Sequence, residues 1–323
     1  MSSAGAAARR ALLGWIGRAV TGRGIGAHER DAVDRDLALL GFRKAARGLL
    51  LRRMAAAALR DGGMTVLAPC MGGRFVLACA GDDLGVGWEI LEHGTYEPHL
   101  ARFYERTLRP GMTVLDVGAN IGFHALHAAR LVGPSGRVFA VEPDPGNAAL
   151  LRMSVARNDG ISVEVIEAAL SDLEQELVLT DLGNAANSGA RFTHPDRASL
   201  EALVHGPSPL FRSVPAHRWD DLHPEVPIDL VKLDVEGFEP RVVRGMEQSL
   251  ARFRPTVVSE FAPSNLETLG GVEPAAYLAW FRERGYAAHV VLEPGGETVP
   301  ADDASLRRAL ARRHHADLAF SPA

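Results

Sequence analysis

The stretch Val114-Leu115-Asp116-Val117-Gly118-Ala119-Asn120-Ile121-Gly122 decides the fold of this 323-residue chain. It begins as an apolar, β-branched run, passes through a turn with two glycines, and leads into a helical pattern over about 123–131. Glycines let the backbone approach a ligand closely, and the first N–H groups of a helix satisfy the polar end of that ligand. This order of strand, glycine-rich turn and helix is typical of the ligand-binding edge of an open parallel sheet.

The same alternation of strands and helices continues on both sides of the turn. Upstream, two short strands are predicted within 64–79 and a helix over 96–108. Downstream, strands are predicted at 137–141, 163–168, 228–233, 255–261, 290–292 and 316–320, with helices at 145–158, 238–251 and 273–284. Because the strands are nearly continuous apolar runs, the pattern predicts the α/β class, with a doubly wound, mostly parallel sheet and helices on both faces.

The predicted domain organisation follows from a long segment between two strands and from the positive charge of residues 1–60. The third and fourth strands are too far apart for a plain connection, so 173–227 is predicted to be an insertion with its own hairpin. Residues 1–60 hold 12 Arg or Lys and 4 Asp or Glu, a net charge of +8, whereas the remainder holds 23 and 36, a net charge of −13. We therefore predict a basic helical N-terminal segment over 1–62, which packs on the body or meets a membrane surface, and one large domain over 63–323.

Composition excludes several classes of protein. With 47% apolar and 23% charged residues, the chain is predicted to be neither disordered nor membrane-embedded, and no apolar run reaches the ~18 residues of a membrane span. Its two cysteines, Cys70 and Cys79, are too few for a disulfide framework. The apolar patch at 11–16 is too short and too basic for a secretory signal, so a cytoplasmic location is expected. The acidic body disfavours nucleic acid as a partner.

The chemistry of the turn points away from a dinucleotide. Its pattern is Asp-x-Gly-x-Asn-x-Gly, where a dinucleotide site has Gly-x-Gly-x-x-Gly. The carboxylate of Asp116 at the strand end repels a pyrophosphate but attracts an ammonium group, which S-adenosylmethionine carries. Glu142 ends the next strand, where an acid accepts hydrogen bonds from ribose hydroxyls. Together these acids predict an S-adenosylmethionine site, and a nicotinamide oxidoreductase conflicts with the turn.

An ordered set of motifs resembles the FkbM family of S-adenosylmethionine-dependent methyltransferases. The motifs are Gly94-Thr95-Tyr96-Glu97-Pro98, Leu115 through Gly122, Val141-Glu142-Pro143-Asp144, Ala169-Leu170-Ser171-Asp172, Trp219-Asp220-Asp221-Leu222, Ile228 through Glu239, Arg254-Pro255 and Glu260. The resemblance spans roughly 64–265 and depends on the order of the blocks more than on any one of them. Arg218-Trp219-Asp220 departs from the usual Thr-Leu-Asp of the family, on the side where the substrate is expected.

The resemblance implies a class I methyltransferase fold, with a seven-stranded sheet whose last hairpin is antiparallel. It also implies methyl transfer to a hydroxyl of a small-molecule acceptor, on a glycosyl or polyketide-type secondary metabolite. The turn residues Asp116, Gly118, Asn120 and Gly122 are implied to hold the methionine end of the cofactor. Around the rest of the cofactor, the implied contacts are Glu142 at the ribose, Asp172 near the adenine, and Asp144 from the same motif as Glu142.

The acceptor hydroxyl needs a proton acceptor, and the end of the fourth strand supplies candidates. Lys232, Asp234 and Glu236 reach this edge, and Glu260 ends the neighbouring strand. Asp234 and Glu236 have three open interpretations: a base, a cofactor contact, or a buried ion pair with Lys232 that caps the next helix. A metal held by Asp234 and Glu236 is an open alternative, but nothing else has metal-ligand spacing, so no metal is predicted. Glu97 either reaches the cofactor or substrate or only begins a helix.

Two alternatives of the same fold stay open at this point. One is an N-methyltransferase acting on an amine or amide, and the other is a non-catalytic protein that binds S-adenosylmethionine. The expected partner is a small-molecule or glycan acceptor, and a homodimer is left open.

Overall fold

The structure is a computed structural model that describes residues 65–80, 83, 85–181, 187–203 and 210–323. The predicted basic segment over 1–62 lies outside these residues. The described chain begins with an antiparallel hairpin of β1 (Thr65–Cys70) and β2 (Phe75–Ala80), joined by the 3-10 turn Met71–Gly73. The two cysteines are buried, and they are not partners in the register of the hairpin.

Strands and helices alternate through the rest of the described chain. The strands are β3 (Thr113–Val117), β4 (Arg137–Val141), β5 (Val163–Ile166), β6 (Ala169–Leu170), β7 (Gln175–Thr180), β8 (Phe192–His194), β9 (Phe211–His217), β10 (Leu230–Leu233), β11 (Thr256–Phe261), β12 (Tyr286–Val291), β13 (Thr298–Pro300) and β14 (Ala316–Pro322). The helices are α1 (Val86–His93), α2 (Pro98–Thr107), α3 (Phe123–Val132), α4 (Pro145–Ala156), α5 (Arg197–Leu203), α6 (Trp219–Leu222), α7 (Glu239–Gly245), α8 (Glu247–Phe253), α9 (Pro263–Thr268), α10 (Pro274–Glu283) and α11 (Asp303–Arg313). None of these helices is long and apolar enough to cross a membrane.

The central sheet confirms the predicted class I arrangement and adds a strand to it. Its order is β13-β12-β14-β11-β10-β3-β4-β5, with β11, β10, β3, β4 and β5 parallel and β14 antiparallel to both of its neighbours. The eighth strand, β13, pairs antiparallel with the outer side of β12. The prediction of seven strands missed it because three residues are too few to show a period of two.

Both faces of the central sheet are buried, which explains the continuous apolar strands. Alternate residues of one strand belong to different cores: Leu115 packs in one apolar cluster and Val114 in another. The register sets Val117 beside both Leu233 and Val141, so β3, β4 and β10 end at the same edge. The turns that follow these strands therefore meet in space.

The insertion builds a second sheet instead of an isolated hairpin. The pieces predicted at 176–180 and 212–218 correspond to β7 and β9, which pair antiparallel, and β8 extends the sheet from β7. The predicted third strand of the central sheet, 163–168, is shorter than expected because the chain leaves that sheet after β5. It continues as β6, which pairs with β9 in the second sheet.

The helix predicted over 238–251 is divided into α7 and α8. The break falls at Gly245 and Met246, and the backbone of Met246 lies outside helical geometry at φ −127°. A Cβ on Gly245 would lie 1.8 Å from the backbone oxygen of Ser171. The close approach of these two segments is a tertiary contact that no helical periodicity reveals.

Candidate active site

A cavity of about 350 Å³ lies at the carboxyl edge of the central sheet. The turns after β3, β4 and β10 line it, together with residues 187–191 of the insertion and residues from α1 and α9. The strand order separates its two ends, because β10 and β11 lie on one side of β3 and β5 lies on the other. Acidic side chains follow β10 and β11, whereas small apolar residues follow β5.

The glycine-rich turn has the close backbone approach that its sequence predicts. Gly118 and Gly122 have φ values of +78° and +94°, in the left-handed region that favours glycine. A Cβ on Gly118 would lie 1.9 Å from the backbone oxygen of Asp234, and a Cβ on Gly122 would lie 2.1 Å from a methyl carbon of Leu151. Gly118, Asn120 and Gly122 were predicted together as cofactor contacts, and the structure places Gly118 and Asn120 among the residues that line the cavity.

Glu142 lies at the centre of the cavity wall and is held by the backbone. One carboxylate oxygen accepts a hydrogen bond from the N–H of Asn120 at 2.8 Å, and the other accepts from the N–H of Asp144 at 2.8 Å. The side chain of Asn147 also forms a hydrogen bond with this carboxylate, which still keeps acceptor capacity for a ligand hydroxyl. Burial raises the pKa of Glu142 to about 7, against the effect of the two backbone donors. This arrangement suits the cis hydroxyls of a ribose.

Asp116 differs from its prediction, because its carboxylate does not line the cavity. The side chain is 1% exposed, and neither carboxylate oxygen has a hydrogen-bond partner among the described residues. Lys232, its register neighbour on β10, extends past it to the cavity, with Nζ 3.5 Å from Oδ1 of Asp116. The longer side chain on the same face thus comes between Asp116 and a ligand, and Asp116 balances the lysine charge from beneath.

Asp144 and Asp172 are also corrected, since neither lines the cavity. Asp144 is the N-cap of α4 and accepts hydrogen bonds from the backbone N–H groups of Gly146 and Asn147. Asp172 is turned toward α7, where it forms ion pairs with Arg241 at 3.2 Å and Arg244 at 3.1 Å. Asp144 is thus held by the start of α4, and Asp172 lies outside the cavity because the chain after β5 leaves the central sheet.

The acidic end of the cavity brings together residues from three parts of the sequence. Glu97, Asp234, Glu236 and Glu260 line it with Lys232. Lys232 Nζ lies 3.0 Å from Oδ2 of Asp234, so the predicted ion pair is present. Asp234, Glu236 and Glu260 each offer an oxygen within 4.8 Å of the others, a grouping that could hold a metal ion. The prediction of no metal considered spacing along the chain and did not include Glu260, which joins the group across neighbouring strands.

Burial keeps much of this acidic end protonated. The pKa of Glu97 rises to about 8, because of burial first and then the charge of Asp317. The pKa of Glu236 also rises to about 8, because of burial and then the charge of Asp234. For Glu260 the pKa lies well above its ordinary value for the same reasons. At neutral pH Glu97 and Glu236 are therefore mainly hydrogen-bond donors.

Several residues of the cavity carried no motif in the sequence. His124 is buried and neutral, since burial lowers its pKa to about 4, and its Nε2 lies 2.8 Å from Oε2 of Glu97. Asn265 donates to Glu236 at 2.9 Å, and Nδ1 of His315 lies 3.6 Å from Oε1 of Glu260. Only the topology could have found Asn265 and His315, because it brings α9 and the residues before β14 to the strand ends.

The chain is similar to known methyltransferases. The model of the methyltransferase FkbM domain matches residues 116–288. The 2-O-methyltransferase NoeI of Sinorhizobium fredii is 29% identical over 167 residues, which cover 49% of this chain and 66% of that protein. The methyltransferase sdnD of Sordaria araneosa is 28% identical over 176 residues, covering 47% of this chain and 68% of that protein.

Other matches are shorter or more distant. Two further curated methyltransferases are matched over only 15% and 33% of their own lengths. Among solved structures, the methyltransferase FkbM from Methylobacillus flagellatus superposes with a TM-score of 0.40 at 14% identity, covering 85% of this chain and 59% of that one.

Proposed function

The chain belongs to the FkbM family of S-adenosylmethionine-dependent methyltransferases, and from this premise we propose that it methylates a hydroxyl of a small-molecule acceptor, on a glycosyl or polyketide-type metabolite. The observation that carries the proposal is the acidic end of the cavity, where Asp234 is paired with Lys232 and lies among three further carboxyl groups, Glu97, Glu236 and Glu260. A hydroxyl acceptor needs both a group that takes its proton and donors that orient it. The relative NoeI, a 2-O-methyltransferase, supports the same acceptor chemistry.

The residues of the cavity fit S-adenosylmethionine. The carboxylate of Glu142 can accept from the ribose hydroxyls, and the apolar residues after β5 offer a slot for the base. At the methionine end, Lys232 suits the carboxylate, while the backbone of Gly118 suits the ammonium group. When bound, the cofactor supplies an electrophilic methyl group on a sulfonium.

We assign the proton transfer to Asp234. Its pairing with Lys232 stabilises the carboxylate charge, whereas the pKa values of Glu97 and Glu236 lie near 8 and leave them protonated at neutral pH. An oxygen of Asp234 would take the proton that the acceptor hydroxyl gives up, and the bond from the cofactor sulfur to the methyl group would break as the bond from the acceptor oxygen to it formed. Lys232 and the buried Asp116 beneath it hold Asp234 in place.

Two measurements test this proposal. Calorimetry with S-adenosylmethionine and with NAD⁺ should show binding of the first alone. Incubation of the protein and cofactor with a pool of glycosides and polyketide metabolites should then give a product heavier by one methyl group, and fragmentation should place that group on oxygen. Methylation confined to nitrogen would replace the proposal by the N-methyltransferase alternative, which the acidic end also suits.

A substitution separates the role of Asp234 from cofactor binding. Asp234→Asn should reduce turnover at least about 100-fold, the usual contribution of a general base, while the affinity for S-adenosylhomocysteine changes little. Asp221→Asn is the matched control, because its side chain is exposed and outside the cavity. Normal turnover by Asp234→Asn would show that another group takes the proton.

A further inference from the structure

The loop between β7 and β8 contributes one cation to the apolar end of the cavity. Arg191 lines the cavity there, and its side chain is 17% exposed. The Nε and Nη1 atoms are buried and have no hydrogen-bond partner among the residues that the structure describes. These two atoms lie against the protein, so a ligand in the cavity meets the exposed remainder of the side chain.

Two carboxylates fix the position of this guanidinium. Nε of Arg191 lies 3.6 Å from Oδ2 of Asp144, and Nη1 lies 3.4 Å from Oδ2 of Asp181. Asp144 belongs to the turn after β4 and Asp181 follows β7, so the arginine connects the insertion to the central domain. The charge of Arg191 is thus balanced by the protein and does not require an anionic ligand.

The neighbouring surface suits a flat heterocycle. Ala168, Ala169, Leu170 and Leu179 line the same end of the cavity, next to Pro143 from the turn after β4. Such a slot buries the faces of an aromatic ring without selecting among rings. Selection then requires polar groups at the ring edge, and a purine presents ring nitrogens there as acceptors.

We propose that Arg191 recognises the purine of the cofactor, donating a hydrogen bond from its guanidinium to a ring nitrogen, in the place expected for Asp172. The inference rests on the assignment of S-adenosylmethionine as cofactor. Asp172 is engaged by Arg241 and Arg244 outside the cavity and is not available to the base. The insertion therefore supplies the contact that the end of the third strand does not.

Calorimetry with S-adenosylhomocysteine tests the proposal without any acceptor. Arg191→Met, which keeps the aliphatic length of the side chain, should weaken binding at least tenfold. Arg197→Met in the same insertion is exposed and should bind like the wild type, as should Asp172→Asn. Thermal unfolding of each variant without ligand shows whether the fold is retained.

The 1-deaza, 3-deaza and 7-deaza analogues of S-adenosylhomocysteine identify the acceptor with the wild-type chain alone. At least one of them should bind tenfold less tightly than the parent compound, and Arg191→Met should no longer distinguish that analogue from the parent. Equal affinity of the wild type for all four compounds, or unchanged discrimination by Arg191→Met, would overturn the role of Arg191. Absence of any binding by the wild type would instead remove the cofactor assignment and this inference with it.

Discussion

Gly118 is the residue at which the turns after β3 and β10 come closest. Its φ of +78° alone disfavours a side chain, and the backbone oxygen of Asp234 occupies the space that a Cβ would need. The same contact sets the two turns side by side at the cavity, so a single atom at this position affects both folding and the shape of the site.

Gly118→Ala should lower the free energy of unfolding by about 1–2 kcal/mol for the left-handed backbone and by a further ~1–3 kcal/mol for the contact with Asp234. Gly72→Ala is the matched control, because Gly72 lies in the left-handed region at φ +70° and ψ +26° but nothing lies within 4 Å of its Cβ position. Urea denaturation measures both. Equal losses in the two variants would mean that the turns move apart without a cost.

The proposed ribose contact depends on the charge and the position of Glu142. Glu142→Ala should weaken the binding of S-adenosylhomocysteine by ~1–3 kcal/mol, because the ligand hydroxyls and the N–H groups of Asn120 and Asp144 lose their acceptor. Glu164→Ala, at an exposed position of β5, should leave the affinity unchanged. Calorimetry that gave the same affinity for the wild type and Glu142→Ala would contradict the ribose role.

At the scale of elements, the short helix α6 contacts the start of α8, the second of the two helices into which the predicted helix over 238–251 is divided. Asp220 is buried, and its carboxylate accepts hydrogen bonds from the backbone N–H groups of Gln248 and Ser249 and from the Ser249 hydroxyl. It thereby satisfies the free N–H groups at the start of α8, which the division at Gly245 creates. The break between α7 and α8 leaves backbone N–H groups without helical partners, and the carboxylate of Asp220 supplies the missing acceptors.

Asp220→Ala should destabilise the protein by about 2–4 kcal/mol, since it removes a cap and leaves buried donors without an acceptor. The adjacent Asp221→Ala should change stability by less than ~1 kcal/mol, because Asp221 forms only an exposed ion pair with Arg218. Chemical denaturation of the two variants gives the comparison. A loss of similar size in both would show that α8 does not depend on this cap.

On the scale of the whole molecule, the buried carboxyls couple folding to pH. The folded-state pKa is about 8 for Glu97 and Glu236 and about 7 for Glu142 and Glu239, whereas the reference value is 4.5. Between these values the folded chain binds protons that the unfolded chain has lost, so stability falls as pH rises.

The melting temperature of the ligand-free protein should therefore fall between pH 6.5 and 8.5. Each kcal/mol of lost stability corresponds to about 2–4 °C in a domain of this size. His124, whose pKa is lowered to about 4, acts in the opposite direction but below this window. Glu236→Gln removes one of the titrating groups and should reduce the fall. A melting temperature that is constant or rises over this range would show that these carboxyls are ionised in the folded state.

Much of the architecture could be predicted from the sequence, because the features that determine it involve residues close together in the chain. The strands at 113–117 and 137–141 have their predicted bounds, because continuous apolar runs and glycine-rich turns are short-range features. The same holds for the turn at Gly118 and for the positions of Asp234, Glu236 and Glu260 at the strand ends. Sequence sufficed wherever a residue and its structural reason lie within a few positions of each other.

The amino-acid sequence by itself determined the α/β class, the family, the cofactor and the edge of the sheet at which the cavity lies. The tertiary structure decided which charges meet: that Lys232 lies between Asp116 and the cavity, that Asp172 turns to Arg241, and that Arg191 enters the apolar end. These pairings join residues distant along the chain, and the electrostatic energy of a buried charge depends on the distance to its partners in space. Periodicity and motifs do not contain the distances between these charged groups, whereas the packing of the sheets determines them.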